Sequence, residues 1–313
     1  MRLDKVGIIG CGFVGATIAF TLMQSGLFTE MVLIDVDKNK AEGEAMDIGH
    51  GIAFSGPIDI YAGEYKDLSD AGIIIITAGV GQKPGETRLD LVNRNVSVYK
   101  SIIADIKAYV DDCLLLVVSN PVDILTWVAY KLSGFPSAHV FGSGTVLDSA
   151  RLKYEIGNRL DVDPRSVHSF IIGEHGDSEV TAWSSVIISG ISIDEFCRQK
   201  NYPSSRQKRK EISDEVKNSA YEIIEKKSAT YYGIAMAVRR ICESIVHDEK
   251  SILTVSCMQD KDSVSEGIYI GMPAIVGKDG VEQSLKIQLD EEETDELMNS
   301  VEALKSVIES IDI

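Results

Sequence analysis

The chain has 313 residues, 44% of them hydrophobic and 25% charged, a globular composition with room for two lobes or one large α/β unit, which argues against disorder. Its net charge of −17 disfavours nucleic acid and anionic membrane as partners, so an anionic substrate would need a site of concentrated arginine. No apolar run reaches the roughly 20 residues that span a bilayer, and the N-terminus enters a strand directly, without a signal-peptide pattern. The five cysteines are odd in number and share no close spacing, which argues against a disulfide framework or a metal site and fits a reducing cytoplasm.

In chain order, the first half alternates short apolar runs with helical patterns. The runs "KVGIIG" (5–10), "MVLIDV" (31–36), "IDIYAG" (58–63), "GIIIITAG" (72–79), "CLLLVVSN" (113–120) and "HVFGSG" (139–144) predict strands. Runs without polar alternation belong to strands buried on both faces, hence a parallel sheet covered by helices. Helices are predicted at 13–25, 86–108 and 121–133, with Pro121 in a first turn, where its missing N–H costs nothing. This alternation predicts an α/β fold, a doubly wound Rossmann domain over residues 1–144.

Beyond it the pattern turns α+β, predicting a second domain over 145–313. A helix at 147–159 leads to "VHSFIIGEHGDSE", then a strand-rich stretch at 181–193 and one long charged helix from about 205 to 245. "ILTVSCM", "IYIGMPAIVG" and "EQSLKIQL" predict antiparallel strands, the last two joined through "KDG", and an acidic helix closes the chain.

"GCGFVG" places Gly10, Gly12 and Gly15 in a GxGxxG spacing that follows a predicted strand and opens a helix, with Asp35 at the end of the next strand. That context, rather than the glycines alone, points to a dinucleotide. Gly10 allows the tight turn, Gly12 a close approach of backbone to pyrophosphate, and Gly15 close helix packing, while the helix N-terminus attracts the negative charge. The Asp35 carboxylate suits ribose hydroxyls and repels a 2′-phosphate, which favours NAD over NADP.

Three further stretches carry candidate chemistry. "IIGEHGDSE" presents His175 after an apolar strand, "VLDSARL" places Asp148 and Arg151 at i, i+3 on one helical face, and "VVSNPVD" puts Asn120 at the carboxyl end of a core strand, where open α/β sheets bind ligands. Each has a plainer reading: a structural histidine, a surface ion pair of little worth, and a helix cap. A fourth, "GVGQKPGETRLDL" (79–91), sets Gln82 and Arg88 on a Gly/Pro-framed flap after a core strand.

Taken together, "GCGFVG", "AGVGQKPGETRLDLVNRN", "SNPVDILT", "GSGTVLDSARL", "IIGEHGDSE" and "KKSATYYGIAMA" resemble the L-lactate dehydrogenases of the lactate/malate dehydrogenase family, in the right order from residue 6 to about 240. The resemblance implies NAD as cofactor, reversible hydride transfer between NADH and pyruvate, and a homotetramer. By it, His175 is the acid/base, Asp148 its acidic partner, Arg151 the arginine that holds the substrate carboxylate, and Arg88 the flap arginine that polarises the reacting carbonyl. Asn120 meets the substrate oxygen and the nicotinamide; Thr230 and Ile234 line the pocket. The implied cofactor set adds Phe13, Val14, Thr77, Ala78, Gly79 and Ser119 to Gly10, Gly12, Gly15, Asp35 and Asn120. The flap then reads as a lid that brings Arg88 over the substrate and excludes water.

Gln82 holds the position where malate dehydrogenases of the family carry arginine for the second carboxylate of oxaloacetate. An uncharged side chain there favours the monoanion pyruvate, because a buried, uncompensated charge costs several kcal/mol. The alternatives are a malate or broad-specificity L-2-hydroxyacid dehydrogenase, and an NAD-binding protein that has lost catalysis; the latter predicts loss of His175, Arg88 or Arg151, and all three are present. Some bacterial members are activated by fructose 1,6-bisphosphate through an arginine and a histidine, whose positions here hold Lys153 and His168. Lysine keeps the charge and loses the bidentate fork.

Overall fold

The apolar runs of the first half become strands with both faces covered. The computed structural model describes residues 2–81, 85, 88–260, 263 and 265–313, with only the backbone of Arg88. In chain order it begins β1 (Arg2–Ile9), α1 (Phe13–Ser25), β2 (Glu30–Ile34), α2 (Lys38–His50), β3 (Asp59–Ala62), β4 (Ala71–Ile76), α3 (Arg88–Lys107), β5 (Leu114–Val117), α4 (Val122–Ser133) and β6 (Val140–Gly142). These six strands are parallel, in the order β3-β2-β1-β4-β5-β6. Every residue of β4 and of β5 is buried. The strand order reverses between β1 and β4, which opens a crevice at their carboxyl ends.

Helix α2 escaped the sequence pattern. Its segment is polar, and the stripe it buries is only Ala41, Ala45 and Ile48; what starts it is the Asp37 side chain, which accepts from the Lys40 N–H. Pro121 is the cap residue of α4 rather than a residue of its first turn.

The second half runs α5 (Val146–Leu160), β7 (Val167–His168), β8 (Ile171–Ile172), β9 (Val180–Thr181), β10 (Ile187–Ile188), β11 (Ile191–Ser192), α6 (Ile193–Gln199), α7 (Arg206–Lys227), α8 (Tyr232–Val246), β12 (Ser251–Leu253), β13 (Ser256–Met258), β14 (Tyr269–Gly271), β15 (Ala274–Gly277), β16 (Gly280–Ser284) and α9 (Glu291–Glu309). The long charged helix expected over 205–245 is two helices. Ser228 takes the left-handed conformation at φ 69° and ends α7, and α8 then turns an apolar face to the core.

The three apolar runs expected as antiparallel strands also divide. "ILTVSCM" becomes β12 and β13, and "IYIGMPAIVG" becomes β14 and β15, split at Pro273, which cannot donate to a ladder. The third run ends its strand at Ser284. β15 and β16 form the expected hairpin, with Gly280 at φ 85°. β13 and β14 leave their sequence neighbours and extend the large sheet antiparallel beyond β6, to eight strands.

Two core clusters cover the faces of this sheet, one under α1, α2 and α8 and the other under α3, α4 and α9. A third joins α5, α6 and α7 to the short strands β7 and β10. Gly173, just after β8, bridges Gly271 of β14, which brings the second half against the large sheet.

Candidate active site

The glycine-rich turn between β1 and α1 is built as its sequence requires. Gly10 has φ 100°, and a Cβ on Gly15 would lie 1.8 Å from the Gly10 carbonyl oxygen, so neither position admits a side chain. A Cβ on Gly12 would meet nothing within 4 Å. Gly12 caps α1 without a side-chain bond, no acidic residue stands in the first turn, and the space beside Gly12 is open. That end of α1 fits a pyrophosphate.

Asp35 stands at the end of β2 as expected, and it has a second task. One carboxylate oxygen accepts from the Cys11 N–H at 2.6 Å and the other from the Asp37 N–H at 3.0 Å, which ties the acid to the glycine turn. A carboxylate has about four acceptor sites, so ribose hydroxyls can still bind. Thr77 donates to the Gly10 carbonyl at 2.7 Å. Ser119 donates to the Ala78 carbonyl at 2.7 Å and pairs with the Tyr99 hydroxyl at 2.8 Å. The ends of β1, β4 and β5 are thus locked together, with Gly79 packed against Asn95 and Ser119. Phe13 is exposed and stacks on Tyr231, ring centroids 5.6 Å apart, so the cofactor turn touches the α7–α8 break that carries Thr230.

At the other side of the crevice, His175 lies in the loop between β8 and β9. Asp148, in the first turn of α5, is 2% exposed. One of its oxygens meets Nδ1 of His175 at 2.6 Å and the other accepts from Arg151 at 2.8 Å. This is not the surface ion pair of the plainer reading. The carboxylate only accepts, so Nδ1 carries the proton and Nε2 is left to face a substrate. Burial pulls the imidazole down, but the charge and hydrogen bond of Asp148, aided by Asp123 and Glu179, outweigh it and raise His175 to about 9. Asp148 itself is opposed by burial and held below the usual carboxylate range by His175 and Arg151.

Asn120 is exposed at the carboxyl end of β5, and α4 has no side-chain cap, so the capping reading falls. Thr230 and Ile234 are half-buried at the α7–α8 break and on α8, Ile234 against the first core. Gln82 lies outside the described residues, as does the side chain of Arg88, whose backbone opens α3. His168 is exposed on β7. Lys153 is half-buried on α5, its pKa lowered by burial and by the neighbouring charge of Arg240.

Three residues of the site were not singled out in the sequence. Asn95 on α3 is fully buried; its amide accepts from the Val80 N–H at 2.8 Å and donates to the Val80 and Leu91 carbonyls, which fixes the root of the flap. Asp123 accepts from the His175 backbone N–H at 2.8 Å. Glu179 is pushed up to about 8 by burial and the Asp148 charge, and its carboxylate, an Asp148 oxygen and a His175 ring nitrogen lie within 4.8 Å of one another. Asn95 and Asp123 read as ordinary helix residues; a polar side chain in the buried stripe of a helix was the available signal.

Fold and site together define a dinucleotide-dependent oxidoreductase with a charge-paired histidine at the crevice. Residues 4–142 match the lactate/malate dehydrogenase NAD binding domain and residues 145–312 the lactate/malate dehydrogenase alpha/beta C-terminal domain. The chain belongs to the lactate/malate dehydrogenase family, and its cofactor is NAD. It is 51% identical to an L-lactate dehydrogenase of Clostridium botulinum (strain Loch Maree) over 304 residues, 97% of this chain and 96% of that one. It is 51% identical to one of Acetivibrio thermocellus over 311 residues, 99% and 98% of the two chains. Among solved structures it resembles a lactate dehydrogenase from a Medee basin deep-sea metagenome library, with TM-score 0.95, 44% identity and 99% of both chains covered. It also resembles the minor L-lactate dehydrogenase of Enterococcus mundtii in a ligands-bound form, with TM-score 0.96, 42% identity and both chains fully covered.

Proposed function

We propose that this chain is an L-lactate dehydrogenase in which His175 exchanges the proton and Arg151 holds the substrate carboxylate. The observation that carries this reading is the buried Asp148, bonded through one oxygen to His175 and through the other to Arg151. Gly10, Gly12, Phe13, Val14, Gly15, Asp35, Thr77, Ala78, Gly79, Ser119 and Asn120 would hold the dinucleotide, which when bound supplies the hydride. Protonated His175 gives its proton to the carbonyl oxygen of pyruvate, and in the reverse direction neutral His175 takes it from lactate. Asp148 keeps Nδ1 protonated and favours the imidazolium. Arg151 orients the carboxylate by paired hydrogen bonds, Asn120 donates to the reacting oxygen, and Arg88 stabilises the charge that develops there when the flap closes. Thr230 and Ile234 shape the apolar side of the pocket.

Preference for pyruvate over oxaloacetate follows from the uncharged Gln82 and accords with the relatives named above. Steady-state NADH oxidation with both 2-oxo acids tests the reading: pyruvate is the better substrate, and Gln82→Arg moves preference toward oxaloacetate. His175→Asn binds NADH as the parent does and turns over at a small fraction of its rate; parental turnover would sink the acid/base assignment.

The domain division at 144/145 belongs to this proposal, since the catalytic groups come from both sides of it while β13 and β14 cross over to extend the first domain's sheet. So does activation by fructose 1,6-bisphosphate at Lys153 and His168. Lys153 is half-buried near Arg240, which itself pairs with Glu243 and Glu249, and its ammonium is the charge a phosphate would meet there. A lowered pyruvate KM with the bisphosphate, lost in Lys153→Ala, is the expected result. A homotetramer is supported by large apolar groups left exposed on the single chain, among them Met46, Phe54, Tyr232 and Met236; light scattering gives the number of chains. A cytoplasmic setting is supported by five free, buried cysteines.

A further inference from the structure

The loop that carries His175 is placed by contacts to other elements. Glycines with positive φ flank it, Gly173 at 91° and Gly176 at 156°. Its neighbours are tethered at several points, among them the Gly173 N–H to the Gly271 carbonyl at 2.9 Å, the Glu174 N–H to the Ser300 hydroxyl at 2.7 Å and, past His175, Asp177 to Lys217 and Tyr221. The peptide of His175 itself is held by one side chain, that of Asp123, whose Oδ2 accepts from its N–H at 2.8 Å.

Asp123 is a costly residue to keep at this place. It is 2% exposed, on the first turn of α4, and its other oxygen has no hydrogen-bond partner among the described residues. The Ser256 hydroxyl on β13 is the hydrogen-bonding side chain beside the carboxyl and favours its charged form, though the two do not meet in full hydrogen-bond geometry. Burial pushes the acid up, with the Asp148 charge; His175 and Ser256 oppose this. An acid at a helix N-terminus gains from the dipole, but a surface position would give that without desolvation. A buried carboxyl whose second oxygen is only loosely met is therefore poorly explained by stability. Its position offers another reason. Asn120, Pro121 and Asp123 lie within one short stretch, so the side chain that holds the His175 peptide also begins the helix that follows Asn120.

We propose that Asp123 is a positioning residue: by holding the backbone N–H of His175 it registers the acid/base against Asn120, so that both meet the same substrate oxygen. This rests on the reading of His175 as the acid/base.

Three variants test it: Asp123→Asn, whose amide oxygen still accepts from the His175 N–H; Asp123→Ala; and Asp123→Leu, close to Asp in shape but with no acceptor. Thermal unfolding and NADH affinity check that each folds and binds cofactor. For pyruvate reduction, kcat/KM falls about tenfold to a hundredfold in the Ala and Leu variants, since small misplacements of a reacting group cost that much. The Asn variant stays within about threefold of the parent, a rescue that a loss of packing or fold would not produce. A folded Ala or Leu variant with parental kcat/KM overturns the proposal, and so does an Asn variant no better than Ala. Should neither Ala nor Leu fold, the Asn variant decides: retained turnover supports the proposal and a tenfold loss overturns it. His175→Asn is measured alongside. If that variant is active, the acid/base reading fails first; if it is inactive while Asp123→Ala is parental, only the role of Asp123 fails.

Discussion

Replacing Asp148 with asparagine separates charge from shape at the centre of the site. The amide can still accept from Nδ1 of His175, now bonded to the acid at 2.6 Å, so the ring keeps its orientation. What disappears is the charge that, with this bond, most strongly opposes the effect of burial on the imidazole. His175 then falls from about 9 toward its ordinary 6.5, because burial remains and only the lesser charges of Asp123 and Glu179 still oppose it. The imidazolium loses up to about 3 kcal/mol. At a pH of about 7.5 the protonated fraction drops from about 0.97 to as little as about 0.09, a loss of up to about tenfold in the form that reduces pyruvate. The sign follows from the chemistry: reduction uses the protonated ring, so activity is lost as pH rises through its pKa, and lactate oxidation is gained. The assay is kcat/KM for pyruvate across pH, parent against variant. The alkaline limb of the parent lies near 9 and that of Asp148→Asn well below it, toward 6.5. A variant whose limb coincides with the parent's would refute the assignment of Asp148 as the group that keeps His175 charged.

Three other outcomes are expected. Gly15→Ala sets a methyl group 1.8 Å from the Gly10 carbonyl oxygen, so the turn must open; NADH fluorescence titration should show affinity weakened by about tenfold or more. Asn95→Ala strips three hydrogen bonds from the root of the flap; it should lower stability by about 2 kcal/mol in urea and reduce kcat, and an unchanged midpoint would be a failure of that assignment. His175 is raised from 6.5 to about 9, so the stability it contributes is complete below 6.5 and lost as pH rises through 9; Glu179, raised from 4.5 to about 8, acts in the same direction. The melting temperature should therefore decline between neutrality and pH 9, and a rise would contradict both shifts.

The elements most legible in the sequence were those whose local pattern has one physical solution. Unbroken apolar runs such as 72–79 must be buried on both faces, and Gly10, Gly12 and Gly15 at the opening of a helix leave few alternatives to an anion-binding turn. The i, i+3 spacing put Asp148 and Arg151 on one face of α5. Nothing in that spacing said that the face would be buried and share its carboxylate with His175, 27 residues away. The long charged stretch hid the break at Ser228, because a left-handed residue without glycine carries no compositional mark. The migration of β13 and β14 into the large sheet was equally hidden, since an apolar run has no preference for one sheet edge over another until packing supplies it.

Sequence alone determined the class of fold, the dinucleotide turn and the residue types of the chemistry, because each depends on spacings of a few residues that local backbone geometry enforces. Tertiary structure alone decided that Asp148 is buried with its second oxygen on His175, that Asp123 holds the His175 peptide, and that Asn95 fixes the root of the flap. Those are contacts between distant segments, and the pKa of His175 depends on the burial and the neighbouring charges that only those contacts create.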